Sequence, residues 1–250
     1  MNQFFVDPAS IVGNKIFIKG NDVNHIKNVL RMQVGEEISV KTGADGKEYR
    51  CEIGEFTQEE VICSLRFIKE DGVELPSRIY LFQGLPKADK MELIIQKAVE
   101  LGAYEIIPVA MKRCVVKLDE KKAKQKISRW QSISEAAAKQ SKRAIIPQIH
   151  PVVTFEEALV YAKDKEIKLL PYEMAEGMEQ TRELIEEINP GQEIAVFIGP
   201  EGGFDEKEIS MAKQKDVLPI TLGRRILRTE TAGFTVLSWI MYHLEGKNIK

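Results

Sequence analysis

The run Ile194-Ala195-Val196-Phe197-Ile198 is apolar without a break and then enters Gly199-Pro200-Glu201-Gly202-Gly203-Phe204-Asp205. A strand that is apolar at every position is buried on both faces. In a soluble chain that means the interior of a mostly parallel sheet covered by helices. Asp205 with Glu208 has the spacing of a capping box, so a helix follows the turn. Ligands of open α/β sheets bind at the carboxyl ends of strands, which places this glycine turn where a ligand would sit.

The rest of the chain agrees with that fold class from residue 79 onward. Ile79–Gln83, Glu105–Val109, Ile167–Leu170 and Val217–Leu222 read as further strands. Between them lie helical patterns: one after Asp89 and Glu92 and ending at Gly102, and one over Glu120–Arg143. Further helices are capped by Thr154 with Glu157, or run over Thr181–Ile188 and Thr229–Glu245. The final helix carries Phe234, Leu237, Trp239, Ile240, Met241 and Leu244, a stripe broader than one internal face requires. Before residue 71 the pattern differs. Phe4–Val6, Lys15–Ile18, Glu37–Lys41, Tyr49–Phe56 and Val61–Lys69 are short strands separated by turns, with one helix capped by Asp22. These suggest a small β-barrel module, and 71–77 reads as a linker.

Composition excludes several classes. With 44% hydrophobic and 30% charged residues in 250, the chain can bury a full core. It has no apolar stretch of membrane-spanning length. The first eight residues lack a basic segment followed by an apolar run, so a cytoplasmic location is expected. Cys51, Cys63 and Cys114 are odd in number and form no CxxC pair, which argues against a disulfide framework or structural zinc. Cys51 and Cys63 flank a hairpin turn and are expected as reduced core residues. No metal is expected. Between Lys112 and Arg143 eleven basic residues face only Asp119, Glu120 and Glu135. Such a field suits a phosphate backbone, and it equally suits a solvated helix face.

Two loops hold the candidate chemistry. The Gly199–Gly203 turn lacks GxGxxG and Walker spacing, and its Glu201 would repel phosphate. A ligand bearing positive charge and hydroxyls suits it better, and a sulfonium with a ribose satisfies both. The second loop, Leu222-Gly223-Arg224-Arg225-Ile226-Leu227-Arg228-Thr229-Glu230-Thr231-Ala232, sets apolar groups among three arginines. It suits a purine face with phosphates or base edges nearby. A loop packed on the last helix with its arginines in solvent is the plainer reading.

The sequence resembles the bacterial 16S ribosomal RNA uracil-N3 methyltransferases of the SPOUT superfamily. The resemblance rests on Gly199-Pro200-Glu201-Gly202-Gly203 and on Leu222-Gly223-x-Arg225-Ile226-Leu227-Arg228-x-Glu230-Thr231-Ala232. Glu135-Ala136-x-x-x-Gln140-Ser141-x-Arg143, His25-x-x-x-Val29-Leu30-Arg31-Met32 and Lys97-Ala98-x-Glu100-Leu101-Gly102 extend it along the chain. It implies a PUA-like RNA-binding β-barrel over 1–72, a trefoil-knotted α/β methyltransferase domain over 73–250, and a homodimer. General topology rules argue against a knot, so that expectation comes from the resemblance alone.

The resemblance implies S-adenosylmethionine as methyl donor, held by Ile198, Gly199, Pro200, Glu201 and Gly202 and by Leu222, Gly223, Ile226 and Leu227. Leu170 joins them on topological grounds. Arg228, Glu230 and Glu201 are the catalytic candidates: the arginine to offset charge on a uracil, a glutamate to orient it or accept a proton. Glu230 as a first-turn helix carboxylate is the plain alternative. His25, Arg31, Lys112, Arg113, Arg143 and Arg225 are the RNA-binding candidates, for naked 16S ribosomal RNA or the assembled small subunit. Methylation of a ribose 2′-hydroxyl and a non-catalytic RNA-binding role are the competing functions.

Overall fold

The computed structural model describes residues 1–69, 73–175 and 177–247. The chain forms two compact units: Met1–Glu74 with Ala138–Ile146, and Leu75–Ala137 with Pro147–Lys250. The linker expected over 71–77, and the domain boundary at 72, begin at Asp71 and Gly72, which lie outside the described residues.

The first unit contains β1 (Gln3–Phe5), β2 (Ile11–Val12), β3 (Lys15–Lys19), α1 (Asn21–Asn24), β4 (Glu37–Lys41), β5 (Glu48–Phe56) and β6 (Glu60–Lys69). The strands form one sheet in the order β1-β4-β5-β6-β3-β2. The β5–β6 ladder shifts register at Arg50/Cys51 and again at Ile53/Glu55. Bulges of this kind bend and twist a sheet, which lets it curl around a core. Ile16, Ile18, Ile26, Ile38, Val40 and Ile53 fill that core. Cys51 and Cys63 are buried free thiols within it, opposite Leu65 and Ile53 rather than each other. Burial pushes both thiols up to about 12, with Cys63 adding to the shift at Cys51. The expected cap at Asp22 is corrected: α1 starts at Asn21 after Gly20, and Asp22 lies inside its first turn. The chain continues as a π-helix over His25–Val29, which keeps Ile26 in the core.

The second unit contains β7 (Arg78–Gly84), α2 (Lys90–Glu100), β8 (Ala103–Ala110), α3 (Glu120–Gln140) as far as Ala137, β9 (Gln148–Ile149) and β10 (Val153–Thr154). It continues through α4 (Phe155–Tyr161), β11 (Ile167–Pro171), α5 (Met178–Glu186), β12 (Glu193–Ile198), α6 (Glu206–Lys213), β13 (Leu218–Ile220) and α7 (Thr229–Lys247). The sheet order is β10-β8-β7-β12-β11-β13, with β9 also on β8. Each of these pairings is parallel. The apolar strand β12 therefore lies between β7 and β11, fully covered, with Phe197 stacked on Phe82 at 4.5 Å. Burying each such ring contributes about 1.5–3 kcal/mol.

The capping boxes at Thr154/Glu157 and Asp205/Glu208 form as expected. The one expected at Asp89/Glu92 does not form among the described residues. The Glu92 carboxylate is taken by Arg129 at 2.6 Å instead, and Asp89 has φ −94° and ψ 12°, outside extended capping geometry. Helix α3 ends at Gln140, before Arg143, because the chain turns through the left-handed region at Lys142, φ 60°. Strand β13 ends at Ile220, freeing Thr221 and Leu222 for the loop. On α7, Leu237, Ile240 and Leu244 are buried, while Phe234, Trp239 and Met241 are half-buried and Tyr242 is 81% exposed.

Candidate functional site

The carboxyl ends of β11, β12 and β13 open into one cavity of about 430 Å³. Ile198, Gly199, Pro200 and Glu201 continue β12 into its wall. Pro171, Tyr172 and Glu173 continue β11, and the segment from Thr221 to Arg228 continues β13. Gly203 and Phe204, Lys90 as the first residue of α2, and Thr229 and Ala232 of α7 complete it.

The loops are held from beneath by a buried hydrogen-bond chain. Gln83, fully buried at the end of β7, donates from Nε2 to the Thr229 hydroxyl oxygen at 2.9 Å and to the Gly84 carbonyl at 3.0 Å. Thr229 donates its own proton to the Gly199 carbonyl at 2.6 Å. Buried polar groups of this kind are costly when unpaired, so the chain fixes the start of α7 against the β12 loop. A Cβ at Gly84 would lie 2.8 Å from the ring of Pro200, so only hydrogen fits there. Gly223 has φ +106°, a conformation that suits glycine and turns the second loop across the cavity.

The electrostatics centre on Lys90. Its Nζ lies 3.2 Å from Glu201 Oε1 and 3.3 Å from Glu230 Oε2. The backbone N–H of Lys87 donates to Glu201 at 3.1 Å. Burial works against the Lys90 charge, but Glu201 and Glu230 outweigh it and hold the ammonium above its ordinary value. Burial likewise pushes the Glu201 carboxyl up, and the amides of Glu201 and Lys87 together with Lys90 more than offset this, leaving it below the usual range. The wall thus carries the carboxylates of Glu173 and Glu201 and the ammonium of Lys90, with Glu230 behind that ammonium. The loop opposite carries the exposed Arg224, Arg225 and Arg228. This arrangement accepts a ligand with a positive centre inside and a polyanion outside.

Of the residues expected at a donor site, Ile198, Gly199, Pro200, Glu201, Leu222, Gly223, Ile226 and Leu227 line the cavity. Arg225 and Arg228 line it too, and Glu230 stands behind Lys90. Gly202 packs against Arg113, whose Nη1 donates to the Gly202 carbonyl at 3.0 Å. Leu170 is fully buried in the sheet, and Pro171 takes the lining position. His25, edge-on to Phe4, and Arg31 are exposed in the first unit. Arg143 is only 4% exposed and binds Glu74 through Nε at 3.0 Å, which commits its charge inside that unit. Lys112 pairs with Asp205 at 2.9 Å. Lys122, Lys124 and Arg129 in the basic run also have carboxylate partners. The net field of the run is therefore smaller than its sequence count suggests. Among the described residues no group of His, Cys, Asp and Glu is arranged to hold a metal, and no helix is long and apolar enough to cross a membrane.

Sequence reasoning missed Lys90, Gln83, Tyr172, Glu173, Thr221 and Thr229. The strand-end rule held a signal for Lys90: the segment Leu85-Pro86-Lys87-Ala88-Asp89-Lys90 follows the carboxyl end of β7, beside β12.

Comparison with known proteins gives this geometry a context. An RNA methyltransferase domain model matches residues 73–241, and an RNA methyltransferase PUA domain model matches 18–65. The ribosomal RNA small subunit methyltransferase E of Bacillus subtilis (strain 168) is 38% identical over 231 residues, 91% of this chain and 90% of that protein. Its namesake from Synechocystis is 30% identical over 98% of this chain and 78% of its own length. A crystal structure of a ribosomal RNA small subunit methyltransferase E from Neisseria gonorrhoeae bound to S-adenosyl methionine superposes with a TM-score of 0.83, at 30% identity over 97% of both chains. A Legionella pneumophila methyltransferase in complex with the same cofactor gives 0.79 at 30% identity over 96% of both. This chain therefore belongs to the RNA methyltransferase family that includes the small-subunit ribosomal RNA methyltransferases E.

Proposed function

We propose that this chain transfers a methyl group from S-adenosylmethionine to N3 of a uridine in 16S ribosomal RNA of the small subunit. The observation that carries the proposal is the joining of both glycine-bearing loops around one cavity with an acidic inner wall and an arginine-bearing loop. Relatives solved with S-adenosyl methionine support the choice of donor. The residues present fit it: Ile198, Leu222 and Leu227 for the adenine face, loop backbone for its edges, and Glu201 for the ribose or sulfonium. When bound, this donor supplies an electrophilic methyl whose carbon–sulfur bond pair stays on sulfur.

The chain's own residues must do the rest. N3 lies on the Watson–Crick edge, so the uridine has to be splayed out of any pair before it enters. N3 is largely protonated at neutral pH. Arg228 offsets negative charge on the N3–C–O unit by donating to a uracil oxygen. Glu201 or Glu230 receives the proton. His25 and Arg31, in the RNA-binding module that we place over 1–72, and Lys112, Arg113 and Arg225 hold the RNA, in a salt-dependent manner. The half-buried Phe234, Trp239 and Met241 and the exposed Tyr242 of α7 supply the face of a twofold homodimer. Cytoplasmic location follows from the ribosomal substrate.

The test uses purified small subunits, a radiolabelled methyl donor and nucleoside analysis. Label in 3-methyluridine supports the reading, and label in a 2′-O-methyl nucleoside replaces it with the ribose reaction. Donor binding without transfer to any RNA leaves a binding protein.

A further inference from the structure

We infer that Lys90 is a positioning residue for this reaction: its ammonium bridges Glu201 on the cavity wall to Glu230 behind it, and holds the Glu201 carboxylate in place to receive a proton. The inference rests on the proposed N3 transfer, and the bridge itself is geometric. One Nζ stands within 3.3 Å of an oxygen from each carboxylate. The three residues come from the start of α2, the β12 loop and the first turn of α7. Both oxygens flank the same cation. Without that cation each carboxylate would raise the cost of ionising the other, as like charges in one site do. A proton retained on Glu201 occupies the place that the N3 proton needs.

Charge balance points the same way. With Lys90 protonated and both carboxylates ionised, the cluster carries one excess negative charge, matching one sulfonium. In the transfer the N3–H bond breaks toward a Glu201 oxygen, the N3 electron pair forms the bond to the methyl carbon, and the carbon–sulfur pair remains on sulfur. The cluster becomes neutral as the sulfonium charge disappears, so the transfer itself leaves no new separated charge.

The other charged or titratable groups on the surrounding elements include Lys87 and Asp89 before Lys90, Tyr172 and Glu173 after β11, Arg113 and Cys114 after β8, and Arg224, Arg225 and Arg228 before α7. Among them the arginines stay charged at every relevant pH.

Lys90→Met and Lys90→Gln remove the cation, and Lys90→Arg keeps it. Two readouts are needed. In donor-free protein, carbon NMR of the glutamate carboxyls is followed against pH. In the full reaction, kcat is followed from pH 5.5 to 8.5. The inference expects a carboxyl of the pair to titrate higher in Lys90→Met and Lys90→Gln, by about one pH unit or more. It expects the acidic limb of kcat to rise with it while KM for RNA changes little, and Lys90→Arg to restore both. Carboxyls that titrate as in the parent protein overturn it. So does a folded variant whose kcat falls equally at all pH without rescue by arginine. If none of the three folds, Lys90 is structural and the inference is overturned as well. A modified base other than N3-methyluridine would sink the proposed function instead, and the NMR titration would still report on the bridge.

Discussion

The Thr229 hydroxyl oxygen lies 2.6 Å from the Gly199 carbonyl oxygen, tying the first residue of α7 to the loop that follows β12. Gln83 donates to the same hydroxyl from β7. Thr229→Val keeps the shape and removes both bonds, leaving the buried Gln83 amide with only the Gly84 carbonyl and the Gly199 carbonyl without the hydroxyl. We expect a loss of about 1–3 kcal/mol in urea unfolding and weaker S-adenosylmethionine binding by calorimetry. Unchanged stability and affinity would mean that the chain Gln83–Thr229–Gly199 does not support the loop.

Gly84 touches the β12 loop from the other side. A Cβ there would stand 2.8 Å from Pro200 and 3.0 Å from Met111 Sδ. Backbone and a proline ring yield little, so Gly84→Ala should cost about 1–3 kcal/mol and lower the melting temperature. A melting temperature equal to that of the parent would show that the loop can shift freely.

Arg228 is exposed on the cavity side of the second loop, with no burial to explain its presence there. Under the proposed function it stabilises charge only as the reaction proceeds. Arg228→Ala should therefore lower kcat roughly a hundredfold or more, with donor binding little changed. A near-normal kcat with a raised KM for RNA would make Arg228 a binding residue.

The buried thiols of Cys51 and Cys63 give a pH-dependent signature. In the folded chain they titrate at about 12, against an ordinary value of 9.0. Above pH 9 the unfolded chain loses thiol protons that the folded chain keeps, so stability falls as pH rises through this window and holds below it. At pH 8 iodoacetamide should leave both residues unmodified in the native protein and alkylate them in urea, as read by mass spectrometry. Rapid native alkylation would contradict the first unit's core.

Much of the fold is legible in the residues because burial writes itself as periodicity. Glu37–Lys41 and Glu193–Ile198 are strands with the bounds that their apolar patterns set. Thr154 and Asp205 cap helices as their spacing requires. Asp89 has the same spacing, yet Glu92 prefers Arg129, 37 residues away, and a local rule cannot weigh a distant partner. The two-residue strands β2, β9 and β10 are too short to carry a period. The glycine loops were legible as a site because strand ends are where α/β sheets bind ligands. Lys90 follows a strand end as well, but its pairing with Glu201 was not legible, since that depends on β7 lying beside β12, an adjacency set by topology. Arg143 looked available in a basic run, but Glu74, 69 residues earlier, buries it.

The central claim is that the cavity serves methylation of one uridine base in the small-subunit ribosomal RNA. Mass spectrometry of nucleosides from that RNA, taken from cells with and without this gene, tests it most directly. The account predicts one 3-methyluridine present with the gene, absent without it, and restored by the parent chain but not by Arg228→Ala. An unchanged 3-methyluridine content in cells lacking the gene would contradict it.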